Sequence, residues 1–224
     1  MIVRQLGCVA YSPTLAAMRD FTAARDAGTP DELWVLEHPS VYTLGQAGRA
    51  AHVLRASSIP VVKTDRGGQV TYHGPGQAIV YLLVDLSRLG LTVRELVRRI
   101  EESVIDLLRA HGVSAGRRAG APGVYVDDAK IAALGLRVRH GRSYHGVALN
   151  VEMDLAPYTD IDPCGFPGLR VTQLADLGVS LAPAQAGLAL AEAIASRLGS
   201  PAQLQHLPHS QHLRNLRPEL DCTA

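Results

Sequence analysis

The segment Asp162-Pro163-Cys164-Gly165-Phe166-Pro167-Gly168 puts a cysteine where proline and glycine forbid a regular helix or strand. A thiol in such a loop is reachable, whereas a structural cysteine is expected within an apolar strand or helix, the kind of place Cys8 would occupy at the end of a strand over 2–7. The chemistry this suggests is nucleophilic attack by a thiolate on an activated carbonyl. A thiol of pKa about 8.5 is mostly protonated at neutral pH, so Cys164 needs a neighbour that takes its proton or stabilises its anion. Lys130 is one candidate. The chain has two lysines, Lys63 and Lys130, against twenty arginines. An amine can lose its proton where a guanidinium cannot, so a lysine kept in an arginine-rich chain suits proton transfer. His73 and His145 are competing partners, as Cys/His pairs, and spacing alone does not choose among the three.

Two further strings offer room for a substrate. In Arg66-Gly67-Gly68-Gln69-Val70-Thr71-Tyr72-His73-Gly74-Pro75-Gly76-Gln77, glycines bracket a short strand and let the backbone approach a ligand. Alternation puts Thr71 and His73 on one side of that strand and Tyr72 on the other. In His145-Gly146-Val147-Ala148-Leu149-Asn150, small residues leave space beside a strand. A narrow apolar slot there suits a linear acyl chain, and the same small residues also suit packing beneath a helix.

These residues need elements to hold them. Weak alternation over 2–7 predicts a first strand, and Ser12-Pro13 predicts a helix start running to Ala27-Gly28. Residues 32–37, 41–44, 59–63 and 69–73 read as short strands, with Arg66-Gly67-Gly68 as a turn. Residues 77–86 are apolar throughout and predict a strand buried on both faces. Thr92 and Glu95 form a capping box. It opens a helix whose stripe Val93, Leu96, Val97, Ile100, Val104, Leu107 and Leu108 runs to His111-Gly112. Strands 123–127, 130–139 and 143–151 follow as an antiparallel meander, with turns at Asp127-Asp128 and His140-Gly141. Residues 157–170 read as loop and 183–198 as a last helix. Strands grouped around one long helix predict an α+β fold of the two-layer type, with a mixed, largely antiparallel sheet and flanking helices. The expected organisation is one catalytic domain, 1–199, with a polar, peripheral tail at 200–224.

Composition removes several classes of function. A formal net charge of +1 gives no field for nucleic acid, and one Trp and two Phe supply no stacking platform. No GxGxxG or Walker motif argues for a nucleotide cradle. Three scattered cysteines, Cys8, Cys164 and Cys222, do not read as a disulfide framework or a zinc site. His206, His209 and His212 lie in the tail, where Pro208 breaks any helix that would gather them on a metal. With neither a signal peptide nor an apolar run of about 18 residues, the expectation is a soluble protein of a reducing compartment.

Taken together, EHPSVYTLG, RGGQVTYHGPGQ, KIAALGLRV, HGVALNV and IDPCG followed by VTQL resemble the lipoyl(octanoyl) transferase family. They occur in the family's order and span about residues 32–174. The resemblance implies a fold like the catalytic domains of biotin and lipoate protein ligases. It implies that Cys164 carries an acyl thioester and that Lys130 lowers the thiol pKa and handles its proton. The acyl site would be lined by Arg66, Gly67, Gly68, Gln69, Val70, Thr71, Tyr72 and His73, by Ala133, Leu134 and Gly135, and by Gly146, Val147 and Ala148. A serine is common in the family where Ala133 stands, which removes one side-chain hydrogen bond. The implied donor is octanoyl-acyl carrier protein. The implied acceptors are lipoyl domains of 2-oxoacid dehydrogenase complexes and the glycine cleavage H protein. No cofactor, metal, nucleic acid or membrane is implied, and the implied location is the cytoplasm. Arg137, Arg139 and Arg142, with Arg117 and Arg118, are candidates for steering an acidic carrier, or form a solvated basic face. The rivals are an ATP-dependent lipoate ligase, a transferase acting between protein carriers, and a silent acyl-binding module.

Overall fold

A computed structural model of the chain describes residues 1–55, 57–163, 167–205, 213, 216 and 222. In chain order its elements are β1 (Ile2–Cys8), α1 (Tyr11–Ala24), β2 (Glu32–Glu37), β3 (Val41–Leu44), β4 (Val61–Lys63), β5 (Val70–His73), β6 (Gln77–Leu83), α2 (Leu86–Leu89), α3 (Val93–Ala110), β7 (Gly116–Arg118), β8 (Ala121–Val126), β9 (Ala129–Arg139), β10 (Arg142–Asn150), α4 (Pro183–Arg197) and β11 (Gln203–Gln205). The main sheet has the order β11-β1-β2-β6-β10-β9-β8-β7, and a small sheet has the order β4-β3-β5. β1 runs parallel to both β2 and β11, while the other pairs of the main sheet are antiparallel. The mixed α+β architecture expected from the pattern of strands and helices is therefore observed.

The central strand explains the layering. Every residue of β6 is buried, as its unbroken apolar run predicts. Ala78, Val80 and Leu82 point into a core with α3 and α4, alongside Leu33 and Val35 of β2. Ile79, Tyr81 and Leu83 point the other way, into a core with α1 and with Trp34 and Leu36. A half-buried strand would alternate polar and apolar residues; this one feeds hydrocarbon to both faces, so both must be covered.

α3 buries Leu96, Ile100, Val104, Leu107 and Leu108 along the predicted stripe. Each such side chain contributes about 1.5–3 kcal/mol by leaving water. Its start is fixed by the capping box: Thr92 Oγ1 accepts from Glu95 N–H at 3.2 Å, and Glu95 Oε2 accepts from Thr92 N–H at 2.8 Å.

Several boundaries differ from the sequence reading for local reasons. α1 ends at Ala24, not at Gly28, because Asp26 Oδ1 accepts from the N–H groups of Gly28 and Thr29 and turns the chain. Its start is also earlier: Ala10, not Ser12, occupies the N-cap position. β6 stops at Leu83, and Asp85 caps the short α2 by accepting from Arg88 N–H. The segment expected to be a peripheral tail contributes β11, which pairs Gln203, Leu204 and Gln205 with Ile2, Val3 and Arg4.

The cysteine reading needs a correction: Cys8 and Cys222 are joined in a disulfide, with their Cα atoms 6.0 Å apart. Separation of 214 residues along the chain hid their proximity in space. Cysteine usage therefore gives no argument for a reducing compartment. Among the described residues, no helix is long and apolar enough to cross a membrane. His206, His209 and His212 lie outside the described residues.

Thr92→Ala should lower unfolding free energy by about 1 kcal/mol through loss of the α3 cap, with the denaturant m-value unchanged. Urea titration followed by circular dichroism measures this.

Candidate active site

The candidate site lies where β9 and β10 of the main sheet pass beneath β5 and the glycine-rich loop before it. A cavity of about 40 Å³ opens there. Val70, Ile79, Leu134, Val147 and Ala148 give it apolar walls, and Tyr11, His73, Tyr81 and His145 line it as well. Of the residues expected to hold an acyl chain, Arg66, Gly68, Gln69, Val70, Thr71, His73, Ala133, Leu134, Gly135, Gly146, Val147 and Ala148 all line this cavity. Gly67 and Tyr72 do not. Gly67 instead docks the loop on β9, its N–H donating to the Leu136 carbonyl at 2.8 Å. Tyr72 faces away, as strand alternation requires, and packs against Tyr42 and Tyr158.

Arg66 borders the cavity, and its guanidinium ties β3 to the loop, donating to Thr43 Oγ1 at 2.8 Å as well as to backbone carbonyls. It donates to the carbonyls of Thr43 at 2.7 Å, Gln69 at 2.8 Å and Gly67 at 2.9 Å. Five donors in a fixed fork allow one side chain to hold the loop and β3 together. Glycine at 135 and 146 is a packing requirement. A Cβ at Gly135 would lie 3.0 Å from the Gly67 carbonyl oxygen, and one at Gly146 would strike the Val80 carbonyl oxygen of β6. Strand packing therefore requires a glycine at 146, which also lines the cavity.

A smaller cavity of about 10 Å³ adjoins the first, sharing Thr71 and Ala133 with it. Its other walls include Lys130, Asn150, Tyr158, Pro163 and Val171. Lys130 is buried at the start of β9, with its backbone N–H donating to Arg170 and its carbonyl accepting from Thr172. The ammonium donates to the Pro122 carbonyl at 3.3 Å and lies 5.3 Å from the centre of the Tyr125 ring. Glycine at 123 is required by its φ of +134° and by the Ala132 carbonyl oxygen, 2.7 Å from where a Cβ would stand, and its bareness leaves room for the Lys130 stem alongside. Buried Glu101 of α3 fixes that glycine by accepting from its N–H at 3.0 Å. Cys164, Gly165 and Phe166 lie outside the described residues. The described neighbour of Cys164, Pro163, shares the cavity with Lys130.

Side-chain amides join the roof to the floor. Gln77 Nε2 donates to Asn150 Oδ1 at 2.9 Å and to Tyr158 Oη at 3.1 Å. Asn150 Nδ2 donates to the Thr172 carbonyl at 3.0 Å. Gln77 Oε1 lies 2.7 Å from His73 Nδ1. An amide oxygen only accepts, so His73 carries its proton on Nδ1.

Three histidines cluster at the cavity, His73 and His145 lining it and His38 beside them, and only His73 and His145 were singled out from sequence. His38 lies 6.0 Å from His73, ring centre to ring centre. Its Nδ1–H donates to the Val9 carbonyl, and its Nε2 accepts from Tyr81 O–H at 2.7 Å. Burial lowers His38 from 6.5 to about 4 and His73 to about 3, and it lowers His145 as well. Asp65 is the opposite case. Burial pushes its carboxyl up, but hydrogen bonds from His145 and Tyr144 outweigh this and hold it well below the usual range. Sequence reasoning missed Tyr11, His38, Asp65 and Tyr81. His38 and Asp65 lie in or beside strings already noted, EHPS and RGGQ, but nothing in their spacing brings them together.

Residues 10–195 match the family model described as the lipoyl protein ligase A/B catalytic domain. The chain belongs to that family. Relatives named octanoyltransferase match most of the chain, two of them as follows. The one from Thiobacillus denitrificans (strain ATCC 25259 / T1) is 63% identical over 194 residues, covering 87% of this chain and 89% of its own length. The one from Dechloromonas aromatica (strain RCB) is 61% identical over 197 residues, covering 88% and 96%. The family fold is also found in a solved lipoate-protein ligase A bound with ATP, with a TM-score of 0.77 at 17% identity, covering 95% of this chain and 91% of that one. A biotin protein ligase from Aquifex aeolicus matches with a TM-score of 0.52 at 12% identity, covering 88% and 68%.

The buried histidines set a pH dependence for stability. Their folded pKa values lie below the unfolded value near 6.5, so the unfolded chain binds protons that the folded chain refuses. Stability should be full above about pH 6.5 and fall as pH drops toward 4, by about 1.4 kcal/mol per pH unit for each of His38 and His73. Urea midpoints at pH 7, 6 and 5 test this, and a flat profile would contradict the buried neutral histidines.

Proposed function

We propose that this chain is an octanoyltransferase acting in protein lipoylation, with a cysteine-bound octanoyl thioester as its intermediate. The observation that carries the reading is 63% identity across most of both chains to a relative of that name. A narrow, apolar-walled cavity beside a buried lysine supports it.

The thiolate of Cys164 attacks the carbonyl carbon of octanoyl-acyl carrier protein. The carrier's carbon–sulfur bond breaks, a new thioester forms on Cys164, and the carrier leaves as a thiol after taking a proton. The neutral ε-amine of a lysine on a lipoyl domain then attacks the acyl-enzyme. An amide forms, the Cys164 sulfur leaves, and the amine's surplus proton is taken up. Lipoyl domains of 2-oxoacid dehydrogenase complexes and the glycine cleavage H protein are the acceptors this chemistry would serve.

Lys130 is the proton carrier in this scheme. It is held by β9 and by the Pro122 carbonyl, and it shares a cavity with Pro163, one peptide bond from Cys164. Val70, Leu134, Val147 and Ala148 enclose the acyl tail. Arg66 and Gly67 shape the loop above it and need not touch the substrate. The donor is already a thioester, so no ATP is consumed. The proposed catalytic domain is residues 1–199, and β11 of the following segment completes the sheet edge.

Intact-mass measurement after mixing with octanoyl-acyl carrier protein, without ATP, should give one octanoyl adduct on the wild type and none on Cys164→Ala. An adduct on that variant would remove Cys164 from the mechanism, and a strict requirement for ATP would favour a ligase. Lys130→Arg keeps the charge but gives a group that stays protonated, so its kcat/KM should fall about 100-fold or more. Thermal melting checks that the variant is folded.

A further inference from the structure

Strand register fixes how much of the cavity lies ahead of the proposed reacting groups. The cavity meets the smaller one, which holds Lys130 and Pro163, at Thr71 and Ala133. Ala133 of β9 pairs with Ala148 of β10, and Ala148 pairs with Ile79 of β6. Two residues along lies a second row that lines the cavity: Gly135, Gly146 and Tyr81. Tyr81 is thus two strands and two residues from Ala133, about 12 Å between backbones at sheet spacing.

At that far corner Tyr81 forms a wall. Its side chain rises from β6, and its O–H donates to His38 Nε2 at 2.7 Å. His38 lies beside His73 of the roof strand β5, their ring centres 6.0 Å apart. The tyrosine therefore spans from the sheet toward the roof. Its ring meets His145 edge to face, with centres 6.1 Å apart. Tyr11 closes the same end from α1, its ring stacked 6.1 Å from His73 and its O–H donating to Thr64 Oγ1 at 3.0 Å. Both hydroxyls are engaged, so neither ring swings aside without breaking a buried hydrogen bond. Gly135 and Gly146 have no side chains, so the floor before the wall is open.

An extended octanoyl chain has seven carbon–carbon bonds of about 1.5 Å each and, zigzagging, measures about 9 Å. Its terminal methyl keeps about 4 Å from the atoms it touches. With the carbonyl held where the two cavities meet, eight carbons reach the Tyr81 ring and stop there. Two further methylenes add about 2.5 Å, which only displacement of that ring admits.

We propose that Tyr81 is a specificity-determining residue that ends the acyl site, its ring propped by His38 so that the transferred chain is limited to about eight carbons. The inference rests on the octanoyl-transfer reading. Tyr81 meets the remote methyl and not the reacting carbonyl, so it sorts chains by length without taking part in bond making.

The test measures kcat/KM on the full-length protein for carrier-bound octanoyl, decanoyl and dodecanoyl chains, with the amide products read by mass. The wild type should transfer decanoyl at least about tenfold less efficiently than octanoyl. Tyr81→Leu, which shortens the wall, should raise the decanoyl-to-octanoyl ratio to about one or more. General damage to the fold would slow all chains alike, so a ratio unchanged in this variant overturns the inference. Where the leucine variant melts early, Tyr81→Met gives the same reading, because its flexible side chain yields to a longer tail. A wild type that transfers decanoyl as well as octanoyl also overturns the inference and leaves the octanoyltransferase reading standing. Failure of the wild type to transfer any chain overturns both.

Discussion

The candidate site depends on Gln77. Its amide sits at the start of β6 and is almost wholly enclosed, bonding at once to His73 of β5, Asn150 of β10 and Tyr158 beyond it. Strand pairing alone would leave the small sheet free to slide over the main one. A buried amide with several directional partners admits few alternative arrangements, because any shift leaves polar atoms without hydrogen bonds. Asn150 passes the constraint on to the Thr172 carbonyl, and Thr172 N–H bonds the Lys130 carbonyl. Roof, floor and the lysine-bearing strand are thus fixed by one connected set of polar contacts.

Behind that set, the cavity is bounded by ionisable groups kept in defined states. His38 and His73 are held neutral by burial, and each has its tautomer set by one neighbour. Asp65 stays anionic because Tyr144 and His145 donate to it. The result is a region with fixed dipoles but little net charge, which disfavours a charged head group and tolerates a neutral chain. Apolar walls contributed by Val70, Leu134, Val147 and Ala148 complete this character. The likeness to solved lipoate and biotin protein ligases is one of fold, a scaffold that by itself does not fix the chemistry.

Much of this was legible in the sequence because it is carried by local signals. The Thr92–Glu95 box, the seven-residue stripe of α3 and the unbroken apolar run of β6 each specify an element by themselves. Alternation correctly separated Thr71 and His73 from Tyr72. What stayed hidden was contact at long range. Asp65 reaches His145 across 80 positions, and His38 reaches Tyr81 across 43. No periodicity encodes such pairs. The Cys8–Cys222 bridge was missed for the same reason, and β11 was missed because a single leucine between two glutamines carries too short a pattern to signal a strand. The small residues around Gly146 fitted either a ligand slot or close packing; Gly146 does line the cavity, and a Cβ there would also strike the β6 backbone.

The short strand β11 changes the outer boundary of the sheet. Without it, β1 would present its row of N–H and C=O groups over seven residues, long enough to template another copy's strand. Pairing with Gln203–Gln205, and the bond from the amino terminus to the Pro201 carbonyl, occupy the first part of that row. Among the described residues, the strand covering that part is three residues long, exposed and mostly glutamine. A short, exposed, glutamine-rich strand is a poorer template for edge-to-edge pairing than the apolar-flanked strand it covers.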